Sequence, residues 1–338
     1  MEQAGIEPSV LQRVLGGYDL GGAWRVVGPG GGTANLNLMV EAPRGKLFLR
    51  RRNRRYASPE QVAYEHALMQ HLAAKGIGGP LPLATRGGET AVRVGGDVYE
   101  LQPYVEGEPF APDSLAQLRG AGRALARFHA ALEDFVAPVA KDLPRYDDPA
   151  AIRAGYASLL ARATPEQREA VERILRVVAM LEEAFPDAAY AALPHCIVHG
   201  DYHPANVLFR GEEVVGIFDL DWVSRQPRVR DLSDGVTYFA GRRDAPLDGA
   251  DIGSLTRGVQ FDAPRARVFV DGYRELRRIE AAELQALPLV GMARWLFSKV
   301  SGMRKVGEGE RTAFALRDAL GPVEWLREHG EALVDALV

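Results

Sequence analysis

His199-Gly200-Asp201-Tyr202-His203-Pro204-Ala205-Asn206, followed by Gly216-Ile217-Phe218-Asp219-Leu220-Asp221, is the stretch on which the reading of this 338-residue chain turns. Asn206 lies five residues after Asp201, and Asp219 thirteen after Asn206. Ile197-Val198 is strand-like and ends in His199-Gly200, which places Asp201 on a loop at a strand end, where side chains reach a cleft. Val207-Leu208-Phe209 and Val214-Val215-Gly216-Ile217-Phe218 read as a hairpin turning at Arg210-Gly211-Glu212-Glu213. The hairpin returns Asp219 towards Asn206. Asn206 then offers a neutral oxygen and Asp219 a charged one, the hard donors that Mg²⁺ favours. Asp201 can take the proton of a hydroxyl. The set suits phosphoryl transfer from a nucleotide.

Two other readings use the same stretch. His199, Asp201 and His203 could ligate a transition metal in a hydrolase. Against it, the remaining histidines (His66, His71, His129, His195 and His329) are scattered, and no second His-rich motif completes a site. A catalytically silent nucleotide-binding module is the other reading. Such a module has no need of Asp201. His129 borders an apolar helix face and reads as a packed core residue.

Bulk properties narrow the field. Apolar residues make up 47% and charged residues 25%, an ordinary globular composition. A net charge of -4 argues against a general nucleic-acid partner. No apolar run is long enough to span a bilayer, and the N-terminus lacks the basic and apolar blocks of a signal peptide. Cys196 is the single cysteine, so no intrachain disulfide forms and a cytoplasmic location is expected.

The first hundred residues alternate apolar runs with Gly-rich turns. Strands are expected at 24–27, 36–40, 46–50, 90–94 and 98–101. One clear helix interrupts them: Ser58 is an N-cap, Pro59 the first helical residue, and Gly76 the stop. Val62, Glu65, Met69 and Leu72 share a face of that helix. Glu65 is thus a carboxylate in an apolar stripe that needs a cation or a hydrogen bond; Arg50, which shares a strand face with Lys46 and Phe48, is a candidate. The alternative is that Glu65 lies at the stripe edge and reaches water. In the run Arg50-Arg51-Arg52-Asn53-Arg54-Arg55, one arginine is expected to reach phosphates. The turn from Gly28 to Asn35, including Gly31 and Gly32, has the backbone freedom to approach phosphates. It is not a Walker A loop. Composition changes after residue 106. Helices are expected from Ser114 to Leu132, from Pro165 to about Phe185, and from about Arg265 to Leu337.

The pattern resembles the aminoglycoside phosphotransferase-like and choline kinase-like small-molecule kinases, including the type II homoserine kinase-like branch. The resemblance is carried by Leu47-Phe48-Leu49-Arg50, Tyr64-Glu65-His66, the helix ending in Phe128-His129, Val198-His199-Gly200-Asp201 with Asn206, Phe218-Asp219-Leu220-Asp221, Arg230-Asp231-Leu232, and Gly272-Tyr273. It implies an α+β, protein-kinase-like bilobal fold: a small antiparallel-sheet nucleotide-binding lobe at 1–103, a hinge near 100–106, and a mostly helical catalytic and substrate-binding lobe at 107–338. It further implies ATP in the cleft, Asp201 as base, and Asn206 and Asp219 on Mg²⁺. Arg50 would lie on the phosphates and pair with Glu65. The segment from Glu100 through Gln102 to Tyr104 would receive adenine, and Asp231 would brace the catalytic loop. The sequence departs from the kinase pattern in carrying arginine where lysine is usual, with Lys46 as a substitute. It also has no Ala-Pro-Glu segment, which disfavours a protein substrate. The acceptor would be a small molecule bearing a hydroxyl: homoserine or another amino alcohol first, then a sugar or aminoglycoside. Tyr202, Trp222, Tyr238 and Trp295 are candidate pocket walls, and Asp221 and Asp234 candidate partners for an amine.

Overall fold

The run Lys46-Leu47-Phe48-Leu49-Arg50 forms the central strand of a five-stranded antiparallel sheet in the computed structural model, which describes residues 5–30, 35–141, 143, 145, 147–245, 247–249 and 251–338. Helix α1 (Pro8–Leu15) precedes the strands β1 (Arg25–Pro29), β2 (Leu36–Ala42) and β3 (Gly45–Arg51). Helix α2 (Pro59–Ala74) then leads to β4 (Val92–Val94) and β5 (Asp97–Pro103). The strand order is β1-β2-β3-β5-β4. Alternation sends Leu47 and Leu49 to one face of β3, where with Leu38, Val40 and Leu101 they pack against Leu11, Val14 and Leu15 of α1. Arg50 points to the other face, and Arg52, two residues on, continues it. Helix α1 is one of the elements that the sequence reading lacks: it is eight residues long and has no side-chain cap. Its stability comes from the sheet face that it covers. Helix α2 starts as expected, with Ser58 Oγ accepting from Gln61 N. Gly76 takes φ +76° just beyond its end.

The rest is mainly helical: α3 (Leu115–Ala131), α4 (Pro149–Ala157), α5 (Pro165–Ala184) and α6 (Asp187–Ala192) come before the motif strands. These are β6 (His195–Val198), β7 (Val207–Arg210), β8 (Glu213–Ile217) and β9 (Ser224–Pro227). Helices α7 (Val229–Gly235), α8 (Ile252–Leu255), α9 (Ala263–Arg274), α10 (Ala281–Gly302), α11 (Arg311–Leu316) and α12 (Leu320–Leu337) follow. A second apolar core unites these helices with Leu68, Met69 and Leu72 of α2. Helices α3 and α9 meet backbone to backbone. A Cβ added at Gly122 would lie 2.0 Å from Phe269 O, and one at Gly272 2.1 Å from Arg119 O. No described helix is long and apolar enough to cross a membrane.

The motif strands form two antiparallel ribbons, β6 with β9 and β7 with β8. The loop from β6 to β7 and the loop from β8 to β9 therefore both cross from one ribbon to the other. That topology places the Asp201 loop beside the Asp219 loop.

Candidate active site

The Asp201 loop is held from beneath. Gly200 has φ +81°, and a Cβ there would meet Trp222 O at 2.6 Å, so only glycine fits this turn. The buried carboxylate of Asp231 accepts from the backbone N–H groups of His199 (2.6 Å) and Gly200 (2.9 Å). Its Oδ2 is also 2.9 Å from His129 Nε2. His129 is fully buried, in line with its reading as a core residue. Arg230 donates to Gly200 O at 2.9 Å, and Tyr202 Oη donates to Ala121 O at 2.8 Å, which ties the loop to α3.

The two loops are joined directly. Phe218 N donates to Asn206 O at 2.9 Å. Asn206 Nδ2 donates to Asp201 O at 2.9 Å, which leaves the side-chain carbonyl as the atom free to meet a cation. Asp219 adopts φ 60°, ψ 65°, a left-handed conformation that costs energy in a residue other than glycine and recurs at functional sites. Asp201, Asn206 and Asp219 all line one cavity of about 520 Å³.

The electrostatics differ from one carboxylate to the next. Burial works to raise the Asp201 carboxyl, but His203 at 3.5 Å, with Arg294 and His199, outweighs it, and the group is held below the usual carboxylate range. Asp219 is pushed up to about 7 by burial and then by the charge of Asp221, with Arg50 opposing. Asp221, 2% exposed, is held down by Arg50 and Arg52 against the cost of burial. The side-chain oxygens of Asn206 and Asp219, which line the same cavity, are of the kind that suits Mg²⁺. Among the described residues no group of three His, Cys, Asp or Glu side chains is placed to hold a metal ion.

The structure corrects the sequence reading at several points. Arg50 does not pair with Glu65. It donates to Asp221 Oδ1 at 2.7 Å and to Asp219 Oδ1 at 3.5 Å. Glu65 is paired with Arg52 and with Lys141, whose Nζ is 2.8 Å from Oε1. Nor does Glu65 reach water, at 1% exposure. Arg52 also donates to Glu100 Oε1 at 2.7 Å, and Gln102 Nε2 to Glu100 Oε2 at 3.3 Å. The reason is geometric: β3 ends at Arg51, and α2 packs against the residue beyond the strand end. Arg50, Glu65, Gln102 and the exposed Tyr104 are not among the residues lining the cavity. Gly31 and Gly32 lie outside the described residues.

Among the candidate substrate contacts, Asp221, Trp222 and Tyr238 line the cavity. Tyr202 and Trp295 do not. Both are buried core residues, and Trp295 Nε1 donates to Asp318 O at 3.0 Å. Asp234 is buried and paired with Arg294 Nη2 at 2.8 Å, so it is not open to an amine. The histidine-metal reading fails on His199. Its Nε2 is 2.8 Å from Phe218 O, and its Nδ1 accepts from Asp201 N at 3.2 Å, so both ring nitrogens are occupied.

The cavity also contains residues that the sequence reading missed: Arg55 and Tyr56 after β3, and Arg294, Phe297, Arg304 and Lys305 from α10 and the turn beyond it. The rings of Tyr56 and Trp222 lie 5.7 Å apart. The helical spacing of Arg294, Phe297, Ser298 and Ser301 puts them on one face of α10, a signal that periodicity could have supplied. Lys141 has no such local signal.

Comparison with known proteins agrees with this geometry. The sequence profile of the phosphotransferase enzyme family matches residues 25–277. The homoserine kinase of Afipia carboxidovorans is 28% identical over 321 residues, covering 94% of this chain and 90% of the relative. That of Agrobacterium fabrum is 28% identical over 286 residues, covering 83% and 80%. Among solved structures, a microcompartment-associated aminopropanol kinase superposes with TM-score 0.70 at 16% identity, covering 98% of this chain and all (100%) of the other. An amicoumacin kinase in complex with AMP-PNP, Ca²⁺ and Ami gives 0.67 at 14% identity, covering 97% and 93%. These structural likenesses are likenesses of fold, and the fold is protein-kinase-like.

Proposed function

The chain belongs to the phosphotransferase enzyme family and is a small-molecule kinase, and on that premise we propose that it transfers the γ-phosphoryl group of ATP to the hydroxyl of homoserine or a closely related hydroxy amino acid. The observation that carries the reading is the meeting of Asp201, Asn206 and Asp219 around one cavity that cations also line. Asn206 and Asp219 would hold Mg²⁺, which when bound neutralises phosphate charge. Asp201 orients the acceptor hydroxyl. Because its carboxyl is held below the usual range, it takes the proton as the oxygen–phosphorus bond forms rather than beforehand. Arg50, paired here with Asp221 and Asp219, would clamp the phosphates with its planar fork. Catalysis is then chiefly positioning and electrostatic stabilisation.

The acceptor follows from charge. Arg55, Arg294, Arg304 and Lys305 line the cavity, and so do Asp201, Asp219, Asp221 and Asp248, with Arg294 already paired to Asp234. A zwitterionic amino acid suits a cavity that carries both signs, its carboxylate towards Arg55, Arg304 and Lys305 and its ammonium group towards the aspartates. The curated relatives named homoserine kinase support the same choice.

The test is acceptor-dependent ADP release from Mg²⁺-ATP with homoserine, threonine, aminopropanol, choline, a sugar and an aminoglycoside. Homoserine should give the highest kcat/KM. A clear preference for the cationic amino alcohols would overturn the acceptor assignment, and no acceptor-dependent release at all would favour a silent nucleotide-binding module.

A further inference from the structure

Lys141 lies between α3 and α4, far in sequence from every motif, yet its side chain is 1% exposed. An ammonium group has three N–H donors and no acceptor. All three are used here: Glu65 Oε1 at 2.8 Å, Asp221 O at 2.9 Å and Leu220 O at 3.3 Å. The ammonium also lies 5.5 Å from the centroid of the Tyr64 ring. A buried lysine is costly unless every donor is satisfied. This one is satisfied by a helix of the sheet-bearing part and by the loop that carries Asp219.

The cluster around it is an ion-pair network. Arg50, Arg52 and Lys141 face the buried carboxylates of Glu65, Glu100 and Asp221, and Arg50 also reaches the half-buried Asp219. Arg52 and Lys141 take opposite oxygens of Glu65. Lys141 differs from the two arginines in binding the backbone of the two residues that follow Asp219. Those carbonyls belong to the turn whose first residue has φ 60°.

We infer that Lys141 is a positioning residue for the reaction: it fixes the turn after Asp219 against Glu65 of α2, and so holds Asp219 in its left-handed backbone conformation at the cavity that Asn206 also lines. The inference rests on the assignment of Asp219 to the metal. Lys141 does not line the cavity. It acts through the Leu220 and Asp221 carbonyls and couples the placement of α2 to that of Asp219. An arginine pairs with Glu65 as well, but its fork lies in one plane. The lysine's three donors diverge, and they reach two consecutive carbonyls and a carboxylate together.

The experiment compares wild type with Lys141→Met, and uses AMP-PNP binding by calorimetry with and without Mg²⁺ beside steady-state turnover. Lys141→Met should lower kcat by about tenfold or more, of the size expected for a small misplacement of a reacting group. The Mg²⁺-dependent gain in AMP-PNP affinity should fall by a similar factor, while metal-free affinity stays within about twofold. A merely structural lysine would lower the melting temperature and leave the Mg²⁺ gain intact, and that result overturns the inference. If Lys141→Met does not fold, Lys141→Gln, which keeps an N–H donor on a shorter stem, is judged by the same two readouts. A wild-type protein with no Mg²⁺ gain would refute the metal assignment itself. A wild-type gain that survives in the variant refutes only the role of Lys141.

Discussion

The carboxylate of Asp231 accepts the backbone N–H of His199 at 2.6 Å, and so holds the strand-to-loop turn that presents Asp201. The same group takes Gly200 N and contacts His129. All of these atoms are buried, and each buried donor left without an acceptor costs roughly 1–3 kcal/mol. Asp231→Ala should therefore lose at least about 3 kcal/mol of stability in urea unfolding. In whatever fraction remains folded, kcat should fall with the loosened loop. Unchanged unfolding would refute the brace.

Asp201 has little structural duty. Its side chain is 32% exposed, and its charged partner is His203. Asp201→Asn should leave the melting temperature within a few degrees and lower kcat by about 10² to 10⁴, the range for a lost general base. Coupled-assay turnover close to wild type would remove it from that role.

Gly272 allows α9 to touch α3. Its added Cβ would lie 2.1 Å from Arg119 O, a backbone atom that cannot rotate away. Gly272→Ala should cost about 1–3 kcal/mol, as overpacking does. A control, Gly309→Ala, meets nothing within 4 Å and should be neutral on this account. Equal denaturation midpoints for the two variants would contradict the close approach.

Lys299 gives a pH signature. It is fully buried, and its Nζ donates to Thr256 O and to Arg317 O (2.6 Å). Burial pushes the amine down to about 7, with Asp318 opposing. An unfolded lysine titrates near about 10.4. Below pH 7 both states are protonated and this residue adds no pH dependence. Between about 7 and 10.4 the unfolded chain binds more protons, so stability rises with pH. The gain saturates on the order of 4 kcal/mol. Urea denaturation at several pH values, with Lys299→Met as reference, should show the wild-type advantage growing from pH 7 to 10. Parallel curves would refute it.

Much of the site was legible because its pieces are local. The spacing of Asp201, Asn206 and Asp219 across one loop and one hairpin needs only strand alternation and turn residues. The two ribbons, β6 with β9 and β7 with β8, then bring the loops together. The Ser58 cap, the Gly76 stop and the helix from Ser114 follow from short-range hydrogen bonding and helical period. Helix α1 was not legible, since eight residues without a side-chain cap carry too little local preference to announce themselves.

The choice among arginines had to wait for three dimensions. Alternation places Arg50 and Arg52 on the same side, so chemistry and period cannot separate them. What separates them is where α2 lies relative to the end of β3: Glu65 meets Arg52, and Arg50 turns to Asp221 and Asp219. Lys141 joins Glu65 across 76 residues and Asp221 across 80. Trp295 went to the core and Arg294 to the cavity by the rotation of α10 about its axis, and Tyr202 went to the core with its loop, where its hydroxyl reaches Ala121 O. Reaction class is written in short-range spacing, because loops and hairpins are built from neighbours. The partners of buried charges are set by desolvation, which acts only once distant segments have closed around them.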